Sequence, residues 1–288
     1  MAAETDRILR AVTDTGSFRT LVARTTDTVN GILRAQGAAG DLAVALADLA
    51  TGAVLFRELM APSLRAQAVI EGAGDSGRMV ADSFPDGATR GLALGGPSGA
   101  LDLGAGALLR MSREMPRGGL HEGVVAMVPG GGLTTALTRY LMESEQVVAV
   151  IAVATVLGAE GDVSAAGGYV MQLLPEADRA QLAIMTERLA DLPPLSDFLR
   201  EGRTPEDILG ELTGGFGATV IDTSPVEYRC PCSQDRVERS LVTLDPAELK
   251  EHLASGEPLT LHCEFCRRGW TVSPGRILEL LAERGTVQ

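Results

Sequence analysis

The sequence predicts an α+β protein in which a mainly antiparallel sheet packed with helices is followed by a helical linker and a small C-terminal zinc-binding domain. Three observations lead to this prediction. From residue 64 onward, short apolar stretches alternate with glycine- and aspartate-rich turns, which is typical of antiparallel strands joined by hairpins. After Pro175 the sequence changes to apolar positions at helical spacing, followed by a helix with clear start and stop signals. All four cysteines lie in about the last fifth of the 288 residues.

The N-terminal segment is predicted to mix helices and strands. The stretch 6–22 has helical and strand-like parts on either side of a break at Gly16, and 26–36 is predicted to form a short helix that ends at Gly37. Two apolar stretches flank Thr51-Gly52, and we interpret them as strands joined by a tight turn. These two predicted strands are 42–50 and 53–59.

Predicted turns divide the middle of the chain into strands and one helix. Residues 133–145 are predicted to form the helix. The apolar stretches 147–157 and 163–174 follow it and indicate two buried strands. The predicted turns lie at 72–77, 85–87, 95–99, 130–132 and 158–162.

The segment after Pro175 is predicted to be a helical linker that docks on the preceding domain. Residues 176–200 carry apolar positions at helical spacing, broken by Pro193-Pro194. A second helix is predicted to start after Thr204, a favourable N-cap, and to end at Gly214. Because such short helices are marginal alone, their apolar faces need a partner surface. We therefore divide the chain into a core domain at 1–175, the linker at 176–225 and a C-terminal domain at 226–288.

The overall composition argues against broad electrostatic binding to nucleic acid or to anionic membranes. The formal net charge is −13, whereas both kinds of binding need a basic face. The longest apolar run, 147–157, is too short to span a bilayer. The first six residues have neither a positive stretch nor an apolar core, so no signal peptide is predicted. We expect a cytoplasmic protein.

Three patterns that resemble catalytic or nucleotide-binding sites have simpler interpretations. Gly72 to Gly77 match G-x-G-x-x-G, but a strand is predicted to follow where a dinucleotide site needs a helix, so a hairpin turn is predicted. His121 and Glu122 are adjacent on a predicted strand and point to opposite faces, so His121 is expected to be exposed and structural. Glu143 and Glu145 are predicted to be solvated residues at a helix end. No catalytic residue is predicted, and we do not expect an enzyme.

The four cysteines are the strongest functional signal. Cys230 and Cys232 form a C-x-C pair, and Cys263 and Cys266 form a C-x-x-C pair after thirty intervening residues. Four thiolates are a complete tetrahedral ligand set for zinc, with Zn–S distances of ~2.3 Å and no open position for a substrate. We predict one zinc ion per chain. Iron, a pair of disulfides and replacement of one thiolate by His262 are the alternatives.

Several segments of the chain carry a resemblance to a known family. In the C-terminal domain they are Tyr228 to Ser233, Val237 to Leu241, Glu248-Leu249 and His262 to Cys266. Further upstream they are Asp6-Arg7, Asp86-Gly87, Arg90-Gly91, Ser144 to Gln146, Ala165 to Gly168 and Gln172 to Pro175. Together these segments resemble the bacterial heat shock protein 33 family over nearly the whole chain, and the cysteine segments resemble its redox-switch domain.

The resemblance implies a redox-activated holdase, which is a chaperone that binds unfolding proteins without ATP. It implies that the reduced form holds zinc through the four cysteines and is inactive. Oxidation would form the disulfides Cys230–Cys232 and Cys263–Cys266, release zinc, and unfold both the switch domain and the linker. It also implies that homodimer formation accompanies activation, and that the partners are unfolded or oxidatively damaged proteins.

The chain departs from the family pattern in three places. Gly130 to Leu133 stand where an acidic Gly-Glu-Ile-type helix start is expected. Trp270 stands where a tyrosine is usual, and Leu92 replaces an aromatic residue. The first departure bears on the local packing and on the dimer or client surface that the resemblance implies.

A zinc module that binds nucleic acid is the first alternative function. Residues 229–288 contain eight Arg or Lys against nine Asp or Glu, and their aromatic residues are limited to Phe265 and Trp270. Such a segment lacks the basic groove with stacking residues that single-stranded nucleic acid requires.

A thiol–disulfide oxidoreductase that uses Cys263 and Cys266 is the second alternative. Exchange pairs of this kind usually open a helix in a thioredoxin-like context. Here the flanking segments 259–262 and 269–272 are predicted to be short strands. A zinc site that is purely structural and never oxidised is the third alternative.

Overall fold

The computed structural model describes residues 5–60, 62–96, 101–241 and 244–285. The chain forms two compact units, one up to Arg229 and one from Cys230 onward. The predicted α+β class is confirmed, because antiparallel sheets and helices make up the fold. Two predictions fall partly outside the described residues. They are the absence of a signal peptide, which concerned residues 1–4 among others, and the turn at 95–99, of which residues 97–99 are not described. Across the described ranges, no helix has the length and apolar character needed to cross a bilayer.

A five-stranded antiparallel sheet forms one side of the first unit. Its strands run in the order β10-β1-β2-β9-β8, so a strand from the end of this unit forms one edge. The first hairpin, β1 with β2, turns near Gly16, where φ is 71°, so the break predicted there is confirmed and the helical parts predicted within 6–22 were wrong. The two strands predicted after residue 147 are confirmed. The strands are β1 (Arg7–Thr13), β2 (Phe18–Arg24), β8 (Ala149–Leu157), β9 (Val163–Leu173) and β10 (Ala218–Pro225).

A six-stranded sheet, in the order β11-β5-β4-β3-β6-β7, forms the other side of the first unit. All its pairs are antiparallel except β11 with β5. The G-x-G-x-x-G segment is the hairpin turn between β3 and β4, as predicted, and the Gly72 N–H donates to the Gly77 carbonyl at 2.9 Å. The strands are β3 (Ala66–Glu71), β4 (Gly77–Ser83), β5 (Ala88–Gly95), β6 (Leu108–Glu114), β7 (Leu120–Ala126) and β11 (Glu227–Tyr228).

A single buried helix replaces the two strands predicted at 42–50 and 53–59, so that prediction was wrong. The helix α2 spans Gly40–Met60 and contacts strands of both sheets. A helix enclosed in this way has buried residues on all sides and shows no 3.6-residue alternation of apolar and polar residues that would identify it. Gly52, interpreted as a turn residue, lies inside the helix, where a Cβ would come within 2.9 Å of the Leu137 side chain. The glycine therefore permits close packing and makes no turn.

Two more helices of the first unit match their predictions. Helix α1 spans Thr26–Gln36 and ends at Gly37, which is left-handed with φ of 64°. Helix α3 spans Gly132–Glu143. Its N-cap residue, Gly131, offers no side chain to the free N–H groups, and its first turn has no acidic residue. The departure at 130–133 therefore leaves this helix start without the usual cap and charge.

The segment after Pro175 packs on the five-stranded sheet, on the face away from α2. Alternate residues of β2 point to the two sides, since Leu21 belongs to the cluster around α2 and Val22 to the cluster under the later helices. The predicted helices are confirmed as α4 (Arg179–Asp191), α5 (Leu195–Arg200) and α6 (Pro205–Thr213). Thr204 caps α6 as predicted, through a capping box with Asp207. Residues 218–225 form β10 and not a helix. The boundaries at 175 and 225 stay predictions.

The second unit is small and has its own apolar cluster. A two-stranded sheet, β12 (Leu259–His262) with β13 (Gly269–Val272), confirms the two short strands predicted around the second cysteine pair. Its helices are α7 (Gln234–Leu241), α8 (Pro246–Ser255) and α9 (Pro274–Gly285). The buried side chains between them are Leu241, Leu249, Val272, Ile277 and Leu280.

Candidate metal centre

The four cysteine side chains converge in the second unit. Their sulfur atoms all lie within 4.8 Å of one another. The Cys230 and Cys263 sulfurs are 3.7 Å apart, and the Cys232 and Cys266 sulfurs are 3.4 Å apart. A tetrahedral ion with four Zn–S bonds of ~2.3 Å requires sulfur separations of roughly 3.8 Å. The donor atoms and their spacing therefore fit a zinc ion.

Cys263 and Cys266 lie at the turn between β12 and β13. The Cys263 N–H donates to the Arg268 carbonyl at 3.0 Å, and the Arg267 N–H donates to the Cys263 carbonyl at 2.7 Å. Arg267 adopts a left-handed φ of 60°, which closes the turn. The backbone N–H groups of Phe265 and Cys266 donate to the Cys263 sulfur. These donors stabilise a thiolate, and the pair stands on a strand hairpin, unlike the helix start expected of an exchange pair.

The electrostatics of the cluster disfavour the thiolate forms of Cys232 and Cys263 unless a cation is present. Burial raises the pKa of the Cys232 thiol, and the neighbouring Cys266 and Cys230 sulfurs raise it further. Burial likewise raises the pKa of Cys263. Several thiolates at this separation repel one another, so a divalent cation is the natural compensation for their charge.

His262 lies outside the ligand group. In the part of the chain that the structure describes, the group that could hold a metal here consists of the four cysteines. His262 pairs across the hairpin with Gly269, and a Cβ at Gly269 would be 3.4 Å from its Nε2 atom. The predicted set of four sulfurs thus comes together without the histidine.

The last residues of the first unit are bound at several points, which the sequence did not reveal. The Glu227 N–H donates to the Gly87 carbonyl at 3.1 Å, and the Arg229 N–H donates to the Thr89 carbonyl at 3.2 Å. The Tyr228 side chain packs so closely on helix α1 that a Cβ at Gly31 would be 2.6 Å from it. The chain that leads to Cys230 is therefore a strand fixed on the six-stranded sheet.

Glu145 is buried, so its prediction as a solvated helix-end residue was wrong. Its side chain is 3% exposed and lies 3.3 Å from both the Arg113 guanidinium and the His121 Nε2 atom. Tyr140 donates its hydroxyl proton to the Glu145 carboxylate at 3.0 Å. Gln146 has a left-handed φ of 56°, which marks an abrupt turn of the chain next to Glu145. Glu143 is exposed, as predicted.

Comparisons with known proteins agree over nearly the full length. A family model described as Hsp33 protein matches residues 6–273. A 33 kDa chaperonin of Syntrophotalea carbinolica is 32% identical over 96% of this chain and 99% of its own length. Another, of Geobacter sulfurreducens, is 31% identical over 91% of this chain and 90% of its own length. The crystal structure of a 33 kDa chaperonin (heat shock protein 33 homologue) from Thermotoga maritima has the same fold, with a TM-score of 0.84 at 22% identity, and covers 98% of this chain and 100% of that one.

Proposed function

This chain belongs to the Hsp33 protein family, and from that premise we propose that it is a redox-regulated, ATP-independent holdase of the cytoplasm. The observation that carries the proposal is the convergence of all four cysteine sulfurs within 4.8 Å. In the reduced state Cys230, Cys232, Cys263 and Cys266 hold one zinc ion, and the protein does not bind clients. In the oxidised state the same sulfurs form disulfides, and unfolding proteins are bound.

The reduced second unit depends on its metal for stability. A domain of about sixty residues rarely gains more than ~3–5 kcal/mol from a single core, and the apolar cluster here is small. A structural zinc ion supplies ~10–16 kcal/mol of folding free energy when it is bound. The four thiolates that bind the ion therefore control whether this unit stays folded.

Oxidation would remove the four ligands in two steps. Each step joins two zinc-bound thiolates, of Cys230 with Cys232 or of Cys263 with Cys266, and withdraws two electrons from the sulfurs. One hydrogen peroxide molecule accepts these electrons together with two protons from the solvent and becomes two waters. The short sulfur contacts run across the motifs, from Cys230 to Cys263 and from Cys232 to Cys266. The pairing within each motif is supported by the family resemblance, and disulfide mapping by mass spectrometry decides between the two connectivities.

The oxidised unit would not stay folded. A disulfide across C-x-C or C-x-x-C closes a very short loop and restrains the unfolded chain by only roughly 2 kcal/mol. Two such bonds do not replace the zinc contribution. We propose that unfolding of this unit releases the linker at 176–225, which uncovers the apolar contacts between α4–α6 and the five-stranded sheet.

The surface uncovered in this way is suited to capturing unfolded chains. It includes Phe18, Val22 and Met171 on the sheet and Phe198 and Leu212 on the linker helices, all buried in the docked arrangement. Contiguous exposed apolar area marks surfaces that bind other proteins. Homodimer formation on activation is part of the proposal.

The test is aggregation of a heat-denatured test protein, followed by light scattering. The zinc-loaded reduced protein is expected to leave aggregation unchanged, and the oxidised protein to suppress it. Treatment with reductant and zinc should abolish the suppression. Suppression that is equal in all three states would contradict redox control, and no suppression in any state would contradict the chaperone function.

A further inference from the structure

We propose that the edge of β1 that faces β10 is a docking edge on which an extended segment of an unfolding protein adds as a new strand. This inference rests on the proposed function, because it requires that oxidation releases residues 176–225, including β10. It names the site and the mode of binding, which are main-chain pairing to one strand followed by side-chain contacts to the neighbouring apolar face.

β10 contributes little apolar burial of its own. Most of its residues are exposed, and Val220 and Ile221 are 43% and 60% exposed. Its register on β1 is interrupted by a bulge between the pairs of Arg10 and Ala11. Its side chains contact the β1 hairpin through an ion pair between Asp222 and Arg10 and a hydrogen bond that the Thr219 hydroxyl donates to the Asp14 carboxylate. An edge strand with few buried apolar side chains belongs to the part of a fold that opens most easily.

β1, in contrast, stays in place without β10. Ile8, Leu9 and Ala11 are between 0% and 2% exposed and lie in the body of the first unit. The other side of β1 is paired with β2 from Arg7 to Val12. Loss of β10 would therefore leave a rigid strand with one row of unpaired N–H and C=O groups, which is a template for another strand.

The groups that would become unpaired can be assigned residue by residue. At one end of the pairing the Asp6 carbonyl accepts the Val226 N–H, and at the other end the Asp14 N–H donates to the Gly217 carbonyl, each at 3.3 Å. Since hydrogen bonding alternates along a strand, the backbone N–H and C=O groups of the even-numbered residues of β1 point towards β10. Those of the odd-numbered residues point towards β2. The amides that would open are those of Ile8, Arg10 and Val12.

The surroundings of the edge select the sequence of the added segment. On the face under the linker helices, Ala11 belongs to the apolar cluster that release would uncover. On the opposite face, Arg10 and Arg57 both contact Glu58, and Asp222 supplies the second negative charge. When β10 leaves, Arg10 loses the Asp222 carboxylate and shares Glu58 with Arg57. The favoured occupant is thus an extended segment that alternates apolar and polar residues, with an acidic residue opposite Arg10.

Hydrogen exchange at single amides tests this proposal on the full-length protein. The probe is reduced, carboxymethylated α-lactalbumin, which remains unfolded and soluble. The amides of Ile8, Arg10 and Val12 are expected to be protected in the reduced protein, to exchange at least tenfold faster after oxidation, and to regain protection when the probe is added. The amides of Arg7, Leu9 and Ala11, which lie within the register with β2, should stay protected throughout.

Three results would overturn the strand addition. The even-numbered amides could remain protected after oxidation, which means that β10 stays. Hydrogen exchange at these amides could remain fast although the probe is bound. They could also regain protection without probe as protein concentration rises, which assigns the edge to a second copy of the chain. Light scattering on the same sample separates these outcomes from failure of the proposed function. A protein that suppresses aggregation although the β1 edge remains unpaired contradicts the strand addition and leaves the chaperone function intact.

A matched pair of variants in β10 provides an independent test. Ser224 is paired with Ile8, so its N–H faces β1, whereas the Thr223 N–H is turned away and bonds to the Asp222 carboxylate at 2.7 Å. Ser224→Pro removes a ladder hydrogen bond and should accelerate Ile8 exchange in the reduced protein at least tenfold. Thr223→Pro should leave Ile8 exchange unchanged. Equal exchange in the two variants would contradict the assigned edge.

Discussion

Truncation of one buried leucine in α6 should separate linker release from metal loss. Leu212 is 0% exposed and packs in the cluster between the linker helices and the five-stranded sheet. Leu212→Ala removes about 2–5 kcal/mol of packing free energy at a buried site. Even the lower figure raises the ratio of undocked to docked linker about thirtyfold, since ~1.4 kcal/mol corresponds to a factor of ten. The four cysteines lie in a different compact unit, so the variant should still bind one zinc ion per chain.

The assay combines three readings on the reduced, zinc-loaded variant. Zinc content should remain one ion per chain, amides of residues 176–225 should exchange faster, and the variant should suppress aggregation in part without oxidant. Ile184→Ala is the matched control, because Ile184 lies on linker helix α4 but is 55% exposed, and its truncation should change stability by less than about 0.5 kcal/mol. A Leu212→Ala protein with one zinc ion and a mobile linker that suppresses no aggregation would refute the view that linker release activates binding.

Three further predictions concern the metal centre, the strand before it and a buried carboxylate. Cys232→Ser should abolish stoichiometric zinc binding and make the second unit protease-sensitive, whereas His262→Ala should retain zinc; equal zinc content in the two variants would contradict the assigned ligand set. Gly31→Ala places a methyl group about 2.6 Å from the Tyr228 side chain and should lower stability by about 1–3 kcal/mol through overpacking, measured by thermal unfolding; an unchanged midpoint would contradict the close contact. Burial raises the pKa of Asp48 from 3.8 to about 6, so its contribution to stability is fully present below pH 3.8 and is lost as the pH rises through about 6. Asp48→Asn should therefore unfold at a higher temperature than the parent at pH 7.5 and lose this pH dependence, and a lower midpoint at pH 7.5 would contradict the sign.

The cysteine cluster was predictable from the sequence because ligand spacing is a local property. One or two residues between cysteines let both sulfurs reach one ion, whatever the rest of the fold. The structure places all four within 4.8 Å. The strand hairpin around the second pair was predictable for the same reason, since its flanking residues alternate over a short range.

Long-range packing explains what could not be predicted. Helix α2 is enclosed by both sheets, so it lacks the one-sided apolar pattern that identifies a surface helix. Its Thr51-Gly52 pair is also a residue combination that is common in turns. Glu145 is buried by side chains of β6 and β7, more than twenty residues away in sequence. β10 pairs with a strand that lies over two hundred residues earlier. Contacts of this kind leave no periodic signal in the segment itself.

The most direct test of the proposed switch follows zinc release and aggregation suppression in one sample. The reduced protein is titrated with peroxide at mild heat, with a zinc indicator read alongside light scattering from a heat-denatured test protein. One zinc ion per chain should be released in step with the gain in suppression, and reductant with zinc should reverse both. Suppression that develops while zinc stays bound, or zinc release without any suppression, would contradict the proposed switch.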